Sequence, residues 1–350
     1  MTKIRLAING FGRIGRHSFK VAWEKKDVEI VAINDLTDTK TLVHLVKYDT
    51  AYPDFPHAVL SDEKHIIVDG KKIPAFAEKD PTQLPWKKLQ VDVVIESTGV
   101  FTSKEKAGMH LTAGAKRVII SAPAKGDGVK GYIRGVCRNY AGEDIIDTGS
   151  CTTNCTAPAM QVLELEFGVE KGMMSTIHAY TADQNLQDGP HRDLRRARAA
   201  AANIVPTSTG AAIAVTRAIP GLADKFHGIS FRVPVITVSL SDFTVLLKKN
   251  VTKEEVNAAM IKASKTYLKN VLTTTDEPLV SSDFIGNPHS SIVDLGLTEV
   301  VDGNLVKVVA WYDNEWAYAH RLVEMAEEVG KYLDGKNKSK VKSPKSRISL

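Results

Sequence analysis

The sequence predicts an α/β protein in which a doubly wound parallel sheet is followed by a second, α+β unit with a mixed or antiparallel sheet. Two observations predict it. Over the first third of the chain, short β-branched runs at residues 5–9, 29–34, 91–96 and 117–121 alternate with helical stretches, the pattern of parallel strands joined by crossover helices. After about residue 150 the rhythm changes, and residues 235–249 alternate for much of their length like a strand with two different faces.

The individual elements follow from local chemistry. Thr102 and Glu105 have the spacing of a capping box and predict a helix start between the third and fourth strands. Residues 157–167 are helical in pattern, with Met160, Leu163 and Phe167 on one face. Residues 172–177 form a strand that ends on His178. A second capping box, Thr252 with Glu255, opens a helix carrying Val256, Ala259, Met260, Ala263 and Tyr267 at helical spacing. A strand at 306–311 and a closing helix at 317–333 complete the chain. The predicted division is one domain at 1–150 joined by the closing helix at 315–333, a second at 151–314, and a disordered basic tail at 335–350.

Composition bounds the class. With 350 residues, 43% hydrophobic and 25% charged, the chain is neither disordered, collagenous nor a coiled coil. No apolar run approaches the ~18 residues that span a bilayer, and Asn9 and Arg13 interrupt the start before a signal-peptide core forms. Three cysteines, Cys137, Cys151 and Cys155, build no disulfide framework. A cytoplasmic protein is expected. The net charge of +5 is concentrated at the end: residues 335–350 hold six of the 46 basic residues and none of the 41 acidic ones, so the rest of the chain is one charge negative.

Directly after the first strand, Gly10, Gly12 and Gly15 form a G-x-G-x-x-G pattern that opens a helix. The first glycine permits the tight turn, the second admits a pyrophosphate, and the third lets helix lie on strand, while the helix start attracts phosphate. Asp35, twenty residues beyond Gly15, closes the second strand where a carboxylate can bond ribose hydroxyls. This is a Rossmann-type dinucleotide site. Since an acid there repels the extra phosphate of NADP and no arginine stands at Leu36 or Thr37, the cofactor is NAD.

Cys151, in the run Ser150-Cys-Thr-Thr-Asn-Cys155, falls at or just before a helix start. The dipole and free amides there favour the thiolate. The polar neighbours Ser150, Thr152, Thr153 and Asn154 argue against a merely buried thiol, and His178 is the candidate acid/base, if the fold brings it within reach. Three further segments, 193–198, 207–210 and 231–234, offer guanidinium groups and hydroxyls near glycine. Each reads either as an anion site or as a solvated loop. No metal site is expected.

The motifs NGFGRIGR (9–16), STG (97–99), SCTTNC (150–155), LRRAR (194–198), STGAA (208–212) and WYDNE (311–315) resemble, in order, those of the phosphorylating glyceraldehyde-3-phosphate dehydrogenases. The resemblance implies that Cys151 attacks the aldehyde of glyceraldehyde 3-phosphate and that His178 takes the proton as hydride leaves for NAD. It further implies that inorganic phosphate releases 1,3-bisphosphoglycerate from the resulting thioester. It assigns Thr181 and Arg232 to the sugar phosphate, and Ser150, Thr152, Arg196, Thr209 and Gly210 to the attacking phosphate. Arg13, Ile14, Asp35, Lys79, Ser121 and Asn314 join the glycines at the cofactor. It also implies a homotetramer in which the loop at 181–203 reaches a neighbour's cofactor, and a closing helix packed on the first domain. Erythrose-4-phosphate dehydrogenase is the rival enzyme of similar sequence. A nucleic-acid-binding or adhesion protein on the same fold is the rival of another class, with nucleic-acid contact at most a secondary role of the basic tail.

Four positions depart from the family pattern. Trp316 and Ala317 stand where threonine and glycine are usual, Gly149 where alanine is, and Cys137 where asparagine is common.

Overall fold

The computed structural model describes residues 3–52, 55–137 and 140–333; the basic tail at 335–350 lies outside them. The chain lays down β1 (Ile4–Asn9), α1 (Arg13–Trp23), β2 (Val28–Asn34), α2 (Thr39–Lys47), β3 (Val59–Asp62), β4 (His65–Val68), β5 (Lys71–Phe76), β6 (Val93–Glu96), α3 (Lys104–Thr112), β7 (Arg117–Ile120), β8 (Lys130–Gly131) and β9 (Ile145–Asp147). There follow α4 (Cys151–Phe167), β10 (Val169–Ala179), β11 (Val205–Ser208), α5 (Ala211–Ala218), β12 (Phe226–Val233), β13 (Ser239–Leu247), α6 (Lys253–Lys265), β14 (Leu272–Thr275), β15 (Ser291–Asp294), β16 (Glu299–Val301), β17 (Leu305–Tyr312) and α7 (Trp316–Leu333).

The first nine strands form one sheet in the order β3-β4-β5-β2-β1-β6-β7-β9-β8. From β5 to β8 every neighbour is parallel, whereas β3, β4 and β5 form an antiparallel meander. The chain builds β1, β2 and β5 outward on one side and then β6, β7 and β9 on the other. The order therefore reverses between β1 and β6, where a crevice opens beyond the strand ends. Leu6, Ile8, Ile33 and Ile95 pack with α1 and α7 on one face, so the C-terminal helix closes the N-terminal sheet. Ala7, Val94 and Val118 pack with Trp86 and Ala107 of α3 on the other.

At the reversal point the glycines are sterically required. Gly10 has φ +88°, and a Cβ on it would come within 2.6 Å of Thr98 N. A Cβ on Gly15 would lie 2.0 Å from the Gly10 carbonyl oxygen, an atom that cannot move without shifting β1. Gly15→Ala is therefore expected to push α1 off the sheet and to destabilise the chain by about 1–3 kcal/mol, measured as a lower urea midpoint.

The second sheet runs β11-β12-β10-β13-β17-β15-β14, with β16 on β17. It is mixed: β10–β12 and β14–β15 are parallel, and β10–β13, β13–β17 and β15–β17 antiparallel. Met160 and Leu163 of α4, Val215 of α5 and Met260 of α6 cover one face, with Phe243 and Val245 beneath them. On the open face Met173 and Ile229 are 71% and 50% exposed.

Three local expectations are corrected. The helix at α3 is capped by Ser103, whose hydroxyl accepts from Lys106 N, and not by Thr102, which is buried. The strand within 235–249 begins only at Ser239, because Val238 adopts φ 68°, outside the extended region, and packs with Phe284 and Ile292. Tyr267 lies beyond the end of α6 and is half-exposed, since the helix stops at Lys265.

Candidate active site

The start of α4 is built by its own sequence. Ser150 is the N-cap, its hydroxyl accepting from Thr153 N (3.1 Å), while the Thr153 hydroxyl accepts from Ser150 N (3.3 Å) in a reciprocal capping box. The Asn154 amide donates to the carbonyls of Thr148 and Ser150 (2.7 and 2.9 Å), and Tyr318 of α7 donates to the Gly149 carbonyl (2.8 Å). Gly149 has φ +65°, and a Cβ on it would lie 2.8 Å from Ile133 Cδ1. This left-handed turn favours glycine at position 149.

Cys151 thus stands at the first position of α4, 3.4 Å from Nε2 of His178 at the end of β10. The parallel register of β10 and β12 pairs His178 with Arg232. Arg232 Nη1 lies 2.8 Å from His178 Nδ1 and 3.3 Å from the Ala179 carbonyl oxygen. Burial, reinforced by the Arg232 charge, holds the His178 pKa down at about 3, so the ring is neutral. Burial also pushes the Cys151 thiol up, against the pull of Arg232. This corrects the expectation of a thiolate favoured by the helix start: the cap consumes the Thr153 amide, and desolvation outweighs what remains. Cys155, one turn on, is fully buried near Ser291 and the Ala310 carbonyl, and burial raises its thiol to about 12. It is structural.

The remaining anion-site residues are placed unevenly. Arg196 lies near enough for its charge to act on His178, but its guanidinium is paired with Asp183 and Asp193. The Thr152 hydroxyl is turned to the hydroxyl of Tyr312 (2.9 Å), and Ser150 is occupied by its cap. Thr209 accepts from Ala211 N (3.2 Å) beside Gly210 at the start of α5. Thr181 lies two residues past β10, its backbone amide donating to Gln184. Among the described residues no hydrogen bond joins Thr181, Thr209 or Gly210 to Cys151, His178 or Arg232. Tyr312, to which its WYDNE motif assigned no role, lies edge-on to His178 at 5.9 Å and bonds the hydroxyls of both Thr152 and Thr176 at 2.9 Å.

At the sheet reversal a groove of ≈ 420 Å³ is lined by Gly10, Gly12, Asp35, Lys79, Ser97 and Thr98, among others. Asp35 accepts from Phe11 N (2.7 Å), tying the glycine turn to the end of β2. A Cβ at Gly12 would meet nothing within 4 Å, and no side chain caps α1, leaving its first-turn amides without a side-chain acceptor. These features fit a dinucleotide pyrophosphate. Ile14 packs against the core, Ser121 N bonds the Glu96 carbonyl at the end of β7 (2.9 Å), and Asn314 is buried, accepting from the Ser239 hydroxyl (2.9 Å).

Beneath the groove runs a buried polar chain that no local motif announces. Trp86 Nε1 donates to His110 Nδ1 (3.0 Å), so the neutral ring carries its proton on Nε2 and donates to Glu96 (2.9 Å). Glu96 also accepts from the Asn9 amide (2.5 Å) and from Thr98 N and hydroxyl. Asn9 in turn accepts from Asn34 (2.7 Å).

Arg13 points away from the groove, bridging Asp49 (2.6 Å) and Glu315 (2.5 Å). Trp316 stacks on Tyr52 (5.7 Å) and meets His17 edge-on (5.8 Å), so the unusual tryptophan is taken up in α1–α7 packing. Burial opposes the Glu315 charge, but Arg13 and His17 outweigh it and hold its pKa at about 2, against 4.5 for a free group. A lowered folded value adds stability above the unfolded pKa that is lost as pH falls through the folded one. The thermal midpoint is expected to drop between about pH 4.5 and 2, and Glu315→Gln to flatten that acid limb in a pH series of melts.

Among the described residues no helix is long and apolar enough to cross a membrane, and no cluster of metal-ligating side chains occurs. Residues 4–104 match the family model for the glyceraldehyde 3-phosphate dehydrogenase NAD-binding domain, and residues 150–314 the model for its C-terminal domain. The chain is 52% identical over 338 residues to a glyceraldehyde-3-phosphate dehydrogenase of Mycobacterium avium, covering 94% of this chain and 99% of the relative. It is 53% identical over 327 residues to that of Thermotoga maritima (92% and 98%) and 52% over 337 to that of Borreliella burgdorferi (94% and 100%). With both domains matched and half of its residues shared over almost its full length, the chain belongs to the NAD-dependent glyceraldehyde-3-phosphate dehydrogenase family.

Proposed function

We propose that the protein oxidises glyceraldehyde 3-phosphate with NAD and inorganic phosphate to 1,3-bisphosphoglycerate, with Cys151 as nucleophile and His178 as acid/base. The observation that carries the reading is the 3.4 Å approach of Cys151 Sγ to His178 Nε2 at a helix start, beside the Arg232 guanidinium. The thiol adds to the aldehyde carbon and the carbonyl oxygen gains a proton, giving a hemithioacetal. His178 Nε2 then takes the hydroxyl proton as the carbon loses its hydride, leaving a thioester on Cys151. NAD, when bound, supplies the hydride acceptor. Phosphate attacks the thioester, the Cys151 thiolate leaves and recovers the proton from His178, and the acyl phosphate departs. Covalent capture divides oxidation from acyl transfer, making each step easier. The first-turn amide of Cys151 is a donor for the oxyanion. Arg232 and Thr181 hold the sugar phosphate, while Arg196, Ser150, Thr152, Thr209 and Gly210 hold the attacking phosphate. Arg13 and Ile14 serve the cofactor through their backbone amides, because the Arg13 side chain is engaged elsewhere. Asp35, Lys79, Ser121 and Asn314 complete the NAD site.

The test is NAD reduction by the purified protein at several phosphate concentrations, with glyceraldehyde 3-phosphate and erythrose 4-phosphate compared. A rate on glyceraldehyde 3-phosphate that rises with phosphate is expected. A phosphate-independent rate, or a preference for erythrose 4-phosphate, overturns the reading in favour of the rival enzyme.

The reading includes a homotetramer in the cytoplasm, with residues 1–150 and 315–333 as the cofactor domain and 151–314 as the catalytic and oligomerisation domain. Support for association comes from the open sheet face at Met173 and Ile229 and from the loop residues Leu186 and Leu194, 79% and 82% exposed. Nucleic-acid contact is at most secondary and is assigned to the basic tail.

A further inference from the structure

Resting on the assignment of Asn314 to the cofactor, we propose that Ser239 is a positioning residue for NAD: its hydroxyl turns the Asn314 amide so that the amide N–H groups bind the carbonyl oxygen of the nicotinamide carboxamide.

The surroundings of Asn314 say which end of NAD it serves. Ser239 opens β13, and its oxygen accepts from the backbone amide of Ala179 (3.1 Å), the residue after His178. The same hydroxyl donates to Asn314 Oδ1 (2.9 Å). Asn314 is therefore one hydroxyl away from the end of β10, where His178 approaches Cys151, whereas Gly10, Gly12 and Asp35 line the groove at the sheet reversal. The part of NAD that must reach the reacting pair is the nicotinamide, whose carboxamide offers both an acceptor and donors. An asparagine can meet it with Nδ2 or with Oδ1.

Ser239 decides between the two. A backbone N–H only donates, so Ala179 N takes a lone pair of the serine oxygen and the hydroxyl proton needs a different acceptor. Ser239 is buried, and Asn314 Oδ1 is the acceptor it has among the described residues. With the amide turned the other way, that buried proton would have none, a costly arrangement. Oδ1 is thus engaged by the protein. Nδ2, which has no hydrogen-bond partner among the described residues, is the group left for the ligand.

The backbone of Asn314 is held separately. Asp313 Oδ1 accepts from Glu315 N (3.0 Å) and Trp316 N (2.8 Å), and its Oδ2 from Gly286 N (2.8 Å). Loss of the Ser239 hydroxyl therefore frees the Asn314 amide and not the turn that carries it. The residue before Ser239 adds a second observation. Val238 is β-branched yet has φ 68°, a conformation that such residues avoid and that persists where the surroundings over-determine it. Here they do so from both sides, through the bonds of Ser239 and through the Thr237 hydroxyl, 2.9 Å from that of Tyr52.

The experiment is calorimetric binding to the full-length enzyme of three ligands: NAD, ADP-ribose, which lacks the nicotinamide, and 3-acetylpyridine adenine dinucleotide, which keeps the carbonyl oxygen but has methyl for the amide nitrogen. Ser239→Ala is expected to weaken NAD about fivefold or more and to leave ADP-ribose within about twofold of the parent. Adding Ser239→Ala to Asn314→Ala is expected to weaken NAD no further, because Ser239 acts through that amide. Equal weakening of NAD and ADP-ribose by Ser239→Ala, or additive losses in the double variant, overturns the proposal. The parent alone gives a third arm: the acetylpyridine analogue is expected to bind within about tenfold of NAD, and a larger loss means that Asn314 presents its carbonyl, which overturns the proposal without any variant. If Asn314→Ala binds NAD as tightly as the parent, the assignment of Asn314 fails; if it weakens NAD and Ser239→Ala does not, only the role of Ser239 fails.

Discussion

Cys151→Ser is expected to lower phosphate-dependent NAD reduction by about 10⁴-fold or more while leaving the thermal midpoint almost unchanged. The stability half follows from position. Residue 151 is the first of α4, whose start is held by Ser150, Thr153 and Asn154 rather than by the thiol. A serine there keeps the helix. The activity half follows from chemistry: a hydroxyl is a far poorer nucleophile beside a neutral imidazole, and an oxygen ester passes its acyl group to phosphate less readily than a thioester. Steady-state rates with matched melts check both. Turnover retained within a hundredfold would remove Cys151 from the centre of the mechanism, whereas a collapsed melt would assign it a structural part. Cys155, buried with its thiol pushed up to about 12, serves as the contrast: its replacement by alanine should leave the chemistry intact.

Glu96→Gln is expected to cost about 3 kcal/mol and to lower the thermal midpoint by roughly 4 °C. Both carboxylate oxygens of Glu96 face donors: Asn9 and His110 on one, Thr98 N and hydroxyl on the other. An amide would turn its own N–H groups toward one of those pairs in a site fully closed to water. Asn9, Ser97 and Thr98 also line the cofactor groove, so the Michaelis constant for NAD should rise while the dependence on phosphate stays as in the parent. Melting curves and NAD titrations at fixed glyceraldehyde 3-phosphate measure the two effects. An unchanged melt would mean that the buried chain from Trp86 to Asn34 contributes little to holding the groove.

The elements legible in the sequence are those whose causes lie within a few residues. The β-branched runs of β1, β2, β6 and β7 announce themselves, as does the Thr252–Glu255 box, which the structure forms at the start of α6. The meander β3–β5 was not legible: its strands are only 4, 4 and 6 residues long, too short for a pattern of their own, and they gain their strand character from pairing with one another. The helix at α3 shows the same limit at smaller scale. Thr102 and Ser103 are both plausible caps by type, and Thr102 is excluded by being buried in the fold.

The candidate site divides along the same line. Sequence alone determined the Gly10–Gly15 approach, the start of α4 and the cysteine upon it, because sterics and capping there act over single-digit separations; it also marked the acid that closes β2, whose bond to Phe11 spans 24 residues. Tertiary structure decided which groups meet. His178 lies 27 residues from Cys151, Arg232 lies 54 from His178, and Glu315 lies 302 from Arg13, separations that only sheet register and helix packing close. It also decided the direction in which the Cys151 thiol is displaced. The helix start argues for the thiolate, but desolvation depends on every element packed around the sulfur, and in this fold the loss of water around the sulfur outweighs the pull of the helix start and of Arg232.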